Sequence, residues 1–157
     1  MSRKRKIQIV LGLIILVFLA LRFVKNFNIN PSRNVGEKLD SLNSEYVYYN
    51  GGVNNVEDRN LAPDGYNIGL KYQCVEFVKR YYYNVLNHKM PDSYGHAVDF
   101  FDKKTGDGEL NISRNLLQFS NPGVSKPQVN DILVFDSNLF NRFGHVAIVS
   151  RVTVDTI

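Results

Sequence analysis

The stretch that decides the fold is QCVEFVKRYYYNVL, residues 73–86. Its apolar positions recur at intervals of three and four, the spacing of one helical face. The residues on that face are Cys74, Phe77, Val78, Tyr81 and Val85. Glu76 would lie in the first turn, where a negative charge suits the helix dipole, and Arg80 follows it by four positions, the spacing of an ion pair. The sequence therefore predicts a helix that begins near Cys74.

Cys74 is the only cysteine, which excludes an internal disulfide and any multi-cysteine zinc site. At the start of a helix, unpaired N–H groups favour the thiolate, and the same groups can stabilise an oxyanion on a substrate carbonyl. From helix position alone, a buried core thiol is an alternative interpretation. A nucleophilic role also requires an imidazole from elsewhere in the chain.

Two short apolar runs near the end of the sequence, residues 132–135 and 145–149, predict strands joined by a hairpin-like loop. His145 opens the second strand and directly follows Gly144. A ring at that position would be held by rigid backbone, and the glycine would leave room for a substrate. Cys74 and His145 are therefore the candidate nucleophile and base.

Four segments, in this order and spacing, resemble the cysteine- and histidine-dependent amidohydrolase/peptidase domain known as CHAP. They are Tyr72-Gln73-Cys74-Val75-Glu76-Phe77-Val78, Tyr94-Gly95-His96-Ala97, PQVNDILVF at residues 127–135 and GHVAIV at residues 144–149. The third segment departs from the family's Pro-x-x-Gly-Asp-Ile pattern at Asn130, and asparagine also tolerates a positive φ. The resemblance covers about residues 45–155.

This resemblance implies an α+β, papain-like fold, in which the helix carrying the nucleophile packs on an antiparallel sheet carrying the histidine. It implies hydrolysis of amide or peptide bonds, most often in peptidoglycan peptides, with Cys74 as nucleophile and His145 as general base. Gln73 would help to orient the thiol or the oxyanion. No cofactor is required, because thiol and imidazole supply the nucleophile and the proton carrier. The spacings of His88 and His96 match no common zinc site.

The residue that would orient the imidazole is not identified by the sequence. In the family it is a Glu, Asp, Asn or Gln on the strand after the histidine strand, and this sequence ends at Ile157. Asp155 is the only acidic residue after His145, and it lies nearer than the family pattern places that residue. We therefore expect a CHAP-like catalytic domain over residues 45–157 that is truncated at its C-terminus.

The first 25 residues have the layout of an export signal. Four positive charges at residues 3–6 precede an apolar run at residues 7–21, and no small-x-small cleavage site follows. We predict an uncleaved signal anchor over residues 1–25 that spans the membrane once, with a cytoplasmic N-terminus and an exported, periplasmic or extracellular, catalytic domain. Cleavage at an atypical site and a buried core helix are the alternatives.

Between anchor and domain, residues 26–44 are predicted to form a linker and a short helix at residues 36–43. Residues 46–49 predict a strand, residues 52–69 a loop and residues 95–101 a second short helix. Residues 102–127 are predicted to be mostly loop, and residues 151–154 to open a third strand near the C-terminus.

The charge pattern excludes a nucleic-acid partner. The net charge is +4, but six of the 19 basic residues lie in the first 26 positions, where there is no acidic residue. The remainder holds 13 basic and 15 acidic residues and so has no basic surplus. Beside a peptidoglycan hydrolase, two functions stay open: an amidase of the glutathionylspermidine type, acting on a small conjugate, and a truncated inactive or binding module.

Overall fold

A computed structural model describes residues 2–25, 28, 30–123 and 125–153, with only the backbone for residues 23–25. Within these residues the fold contains two α-helices and eight short strands, so the predicted α+β class is confirmed. The elements are α1 (Arg3–Lys25), β1 (Lys38–Leu42), β2 (Glu45–Tyr48), β3 (Arg59–Leu61), β4 (Asn67–Leu70), α2 (Cys74–Val85), a 3-10 helix (Ala97–Phe100), β5 (Leu110–Asn111), β6 (Leu116–Leu117), β7 (Ile132–Phe135) and β8 (His145–Ile148).

The strands form four separate antiparallel pairs, each made of consecutive strands, in the described part of the chain. This arrangement differs from the one antiparallel sheet that the resemblance implied. Helix α2 contacts three of these pairs, through β2, β4 and β8. The helix is therefore the centre of the domain.

The core lies on the predicted apolar face of α2. Val78 and Tyr81 are fully buried there, and Val146 of β8 packs against them. Burying an aliphatic side chain of this size contributes about 1.5–3 kcal/mol, so this contact is a main attachment of β8 to the helix. Val85 is 37% exposed, because it ends the helix at the domain surface.

The predicted short helix at residues 36–43 is wrong, since this segment forms strand β1. Asn43 and Ser44 adopt φ values of 47° and 71° and connect Leu42 to its partner Glu45. Two consecutive residues with positive φ form the tight turn that matches the twist of paired strands. The turn closes a β1–β2 hairpin, and the strand predicted at residues 46–49 is confirmed as β2.

The structure confirms some of the other predicted strands, helices and loops and corrects others. The strands at residues 132–135 and 145–149 are confirmed as β7 and β8, and the second short helix is confirmed as a 3-10 helix. Residues 52–69 and 102–127, predicted as loops, also hold the hairpins β3–β4 and β5–β6. Residues 151–153 are not a strand, and residue 154 lies outside the described residues.

Helix α1 extends over 23 residues, and its large apolar side chains from Ile7 to Leu21 are exposed. Among the residues that the structure describes, no helix combines the length and the hydropathy that a membrane crossing needs. The membrane-spanning anchor over residues 1–25 is therefore not shown.

Candidate active site

Cys74 is the first residue of α2, as the sequence predicted. The preceding residue, Gln73, has extended backbone angles (φ −81°, ψ 155°) and gives the helix no side-chain cap. The backbone N–H groups of Cys74 and Val75 lie beside the thiol and act to lower its pKa. Both are groups that a helix leaves without a backbone partner.

The thiol also meets the start of strand β8. The backbone N–H of Val146 contacts the sulfur of Cys74, and the Val146 side chain is buried beside α2. His145 is the residue before Val146 and the first residue of β8. The structure thus brings the thiol to the backbone that carries His145, while the joint catalytic role of the two side chains stays a prediction.

Burial raises the pKa of the Cys74 thiol above its usual value, although the three N–H groups act in the opposite direction. The sequence predicted that the helix start would favour the thiolate. That contribution is present, but the removal of water from the sulfur outweighs it. At neutral pH the thiol of the free domain is therefore protonated.

His145 lies opposite Phe135 in the β7–β8 pair, and their rings are 6.0 Å apart. His145 is exposed at the domain surface, and the partial desolvation of its ring lowers the pKa of the imidazole below its usual value. A lowered pKa keeps the ring neutral at neutral pH. The neutral ring is the form that accepts a proton in general base catalysis.

Gly144 serves packing and not substrate access, contrary to the sequence interpretation. Its φ is +70°, and an added Cβ would lie 2.5 Å from the carbonyl oxygen of Phe135 and 2.6 Å from Cγ1 of Val98. The space beside the glycine is therefore filled by the protein. The missing side chain lets the 3-10 helix approach the strand on which His145 lies.

Gln73 is oriented by the loop before it. Its Nε2 donates a hydrogen bond to the carbonyl oxygen of Asn55, which fixes the side-chain amide next to the start of α2. An amide nitrogen has a second hydrogen, so one donor remains for a substrate. Asp155, the candidate for the residue that orients the imidazole, lies outside the described residues.

The two other histidines lie in separate surroundings. His96 precedes the 3-10 helix, and its ring is 4.8 Å from that of Phe143, two residues before His145. The Nε2 of His88 is 2.8 Å from the carbonyl oxygen of Arg114, at the other end of α2. The structure therefore does not bring His88 and His96 together.

A buried charge network on the other face of α2 was only partly predicted. The Glu76–Arg80 pair is confirmed, with Nε of Arg80 2.7 Å from Oε1 of Glu76. The sequence did not indicate that Glu76 is 3% exposed or that it also binds the amide of Asn60 at 2.7 Å. The sequence does contain a glycine, Gly69, at the position in β4 that packs against Glu76. In the structure, an added Cβ at Gly69 would lie 3.2 Å from Cα of Glu76.

Comparison with protein-family models gives a match to the CHAP domain over residues 64–157, more than half of the chain. No curated protein matches the chain. The matched region includes the start of α2, the 3-10 helix and strands β7 and β8, the elements that position Cys74 and His145. The chain therefore belongs to the CHAP domain family.

Proposed function

We propose that this protein hydrolyses amide or peptide bonds in peptidoglycan, with Cys74 as nucleophile and His145 as general base. Membership in the CHAP family supports a hydrolase of the amidase or peptidase class. The observation that carries the residue assignment is the contact between the Cys74 thiol and the N–H of Val146, the neighbour of His145. The backbone partner of the thiol is therefore the residue directly after the candidate base.

The protonation states favour general base catalysis over a preformed ion pair. Burial holds the thiol protonated and the imidazole neutral in the free domain. The sulfur therefore loses its proton to His145 as it attacks the substrate carbonyl carbon. The N–H groups at the helix start and the free amide hydrogen of Gln73 stabilise the oxyanion that forms.

The remaining steps use the same two side chains and a water molecule. The imidazolium of His145 returns its proton to the leaving nitrogen, the C–N bond breaks, and the acyl group stays on the sulfur as a thioester. A water molecule then attacks the thioester while His145 accepts its proton. The carboxylic acid leaves, and the proton returns to the sulfur of Cys74.

The test is hydrolysis of purified peptidoglycan by the full chain, measured as newly released amino groups and wall fragments. Cys74→Ala should abolish release, and His145→Gln should reduce it by about 10²-fold or more. Lys103→Gln is the control, because its side chain is 81% exposed and pairs only loosely with Asp136 at 3.6 Å. Undiminished release by Cys74→Ala would remove the proposal.

The same assay on a small soluble amide conjugate separates the glutathionylspermidine-type alternative. Peptidoglycan lies outside the cytoplasm, so the proposed substrate also requires an exported domain. The charged and apolar order of residues 3–21 supports export. A reporter fused after residue 157 tests it, and a cytoplasmic signal would favour the small conjugate as substrate.

A further inference from the structure

A groove of about 420 Å³ lies beside α2, on the face opposite the apolar core. Its size is within the range of about 300–1,000 Å³ that is common for ligand pockets. The lining residues are Glu45, Tyr46, Tyr48, Asn60, Lys71, Tyr72, Glu76 and Arg80. The first four precede the family match at residues 64–157, so the groove forms where β2 and β3 meet the CHAP region.

The charges in this groove are already paired with one another. Arg80 forms ion pairs with Glu45 and Glu76, and it donates a hydrogen bond of 2.6 Å to the carbonyl oxygen of Tyr46. Lys71 is 3.7 Å from the exposed Asp58. Because two acidic residues balance two basic ones, the groove has no net charge to offer an ionic ligand. Glu76 is 3% exposed, so the polar groups open to a neutral ligand are the Lys71 ammonium and the partly exposed Glu45 and Arg80 side chains.

Three tyrosine rings line the groove, and the Lys38 ammonium covers one face of the Tyr46 ring at 3.7 Å from its centroid. The centroids of Tyr48 and Tyr72 are 5.4 Å apart, and those of Tyr46 and Tyr48 are 6.3 Å apart. Tyr72 has φ +69°, a conformation that is uncommon for a bulky residue. Its ring lies over Gly36, where an added Cβ would be 2.9 Å from the tyrosine hydroxyl oxygen. Strained backbone of this kind concentrates at functional sites.

Tyrosine faces surrounded by fixed donors and acceptors fit an uncharged, hydroxyl-rich ring. The C–H face of a sugar ring packs on an aromatic ring, while its hydroxyl and acetamido groups exchange hydrogen bonds with carboxylates and amides. We propose that this groove binds a sugar unit of an amino-sugar glycan. The proposal rests on the proposed function, since it assigns the groove to the glycan strand that carries the cleaved peptide.

The position of the groove relative to the nucleophile supports this assignment. Tyr72 lies two residues before Cys74, and Glu76 lies two residues after it, both in or next to the first turn of α2. Glu76 is only about 3 Å from Cys74 along the helix axis, but it lies on the opposite face of the helix. A peptide attached to a sugar in the groove would therefore pass around the first turn of α2 to reach Cys74.

The test is a titration of the full chain carrying Cys74→Ala with a β-1,4-linked tetramer of N-acetylglucosamine, followed by backbone amide NMR. Saturable shifts are expected at the groove residues. Tyr46→Ala should weaken binding by about fivefold, the loss expected for one aromatic contact. Tyr94→Ala is the matched control, because this tyrosine is 64% exposed and lies outside the groove. Its affinity should stay unchanged.

Three results would overturn the proposal: no saturable shift, shifts confined to residues outside the groove, or equal affinity in the Tyr46→Ala variant. If Tyr46→Ala loses its fold, Lys71→Met replaces it, since the Lys71 side chain is 42% exposed. That variant should weaken binding by about threefold through loss of one donor, and unchanged affinity would overturn the proposal.

The binding test and the hydrolysis test fail independently. The Cys74→Ala chain cannot hydrolyse its substrate by the proposed route, so tetramer binding does not depend on that route. Peptidoglycan hydrolysis without tetramer binding would remove the glycan groove and keep the proposed function. If the chain binds the tetramer but its hydrolysis does not require Cys74, the glycan groove is kept and the proposed function is removed.

Discussion

The hydroxyl of Tyr81 donates a hydrogen bond of 2.7 Å to Oδ1 of Asn130. Tyr81 lies on α2, and Asn130 lies two residues before β7, so this bond joins the helix that carries Cys74 to the hairpin that carries His145. The same hydroxyl accepts a hydrogen bond of 2.7 Å from Nδ2 of Asn43, in the turn of the β1–β2 hairpin. One phenol oxygen thus connects three parts of the domain.

Tyr81→Phe should lower the free energy of unfolding by about 1–3 kcal/mol, because it leaves two partly buried amide groups without their partner. Urea unfolding of the two proteins measures the difference. Tyr94→Phe is the control, since an exposed ring should show little effect. If the two variants lose the same free energy of unfolding, the hydrogen bonds of Tyr81 to Asn43 and Asn130 do not stabilise the domain.

Gly144→Ala should destabilise the domain more than Gly65→Ala. Both glycines have positive φ, +70° and +82°, so alanine costs each about 1–2 kcal/mol of backbone strain. Only Gly144 is crowded, by Phe135 and Val98, whereas a Cβ at Gly65 meets nothing within 4 Å. Overpacking at Gly144 should add about 1–3 kcal/mol. Matching unfolding free energies for the two variants would contradict this account.

Alkylation of Cys74 by iodoacetamide should be slow at neutral pH and should accelerate about tenfold per pH unit, with no plateau below pH 9. The reason is that burial raises the pKa of the thiol above its ordinary value of 9.0, so the thiolate fraction is small below it. The rate measured between pH 5 and pH 10 checks this expectation. A plateau of fast alkylation that begins at acidic pH, and that His145→Gln removes, would instead demonstrate a preformed ion pair.

Lys79 should make the domain more stable as the pH rises from 8 to 9. Lys79 is 1% exposed. This burial, together with the nearby charges of Arg114 and Arg59, lowers the pKa of its ammonium group from 10.5 to about 8. Above pH 8 the unfolded chain therefore holds more protons than the folded one, so stability increases with pH. The contribution of Lys79 should be about 1 kcal/mol over this unit of pH, and the thiol of Cys74, whose pKa is raised in the folded state, offsets part of it.

Lys79→Met removes this pH dependence and provides the comparison. The variant also leaves the carbonyl oxygens of Asn67 and Ser93 without their donor, so its overall stability should fall at every pH. The informative quantity is the slope between pH 8 and pH 9 in urea unfolding. Identical slopes for the two proteins would show that the Lys79 ammonium is not the group responsible.

Local patterns were sufficient to predict the elements that carry the candidate site. The helical spacing from Cys74 to Val85 predicted α2, and the apolar runs after Asp131 and Gly144 predicted β7 and β8. The tolerance of Asn130 for positive φ is confirmed at +78°. These features depend on neighbours in sequence, which is why a single sequence reveals them.

Features that depend on distant parts of the chain were not predicted. The balance between helix N–H groups and burial at Cys74 is set by β8, some 70 residues away in sequence. The segment of β1 carries a weak helical pattern, and the turn at Asn43 and Ser44 overrides it. Burial of Glu76 requires Asn60 and Gly69, which only the fold brings to the helix.

The first turn of α2 is shared by the thiol and by the tyrosine-lined groove, through Cys74 on one flank and Glu76 on the other. A covalent inhibitor could exploit this geometry. A mild electrophile alone would react slowly with a protonated sulfur, whereas the same electrophile linked to a polar ring seated in the groove would act at a high effective concentration. Since half of the groove residues precede the family match, such a compound would also distinguish this protein from other cysteine hydrolases of similar chemistry.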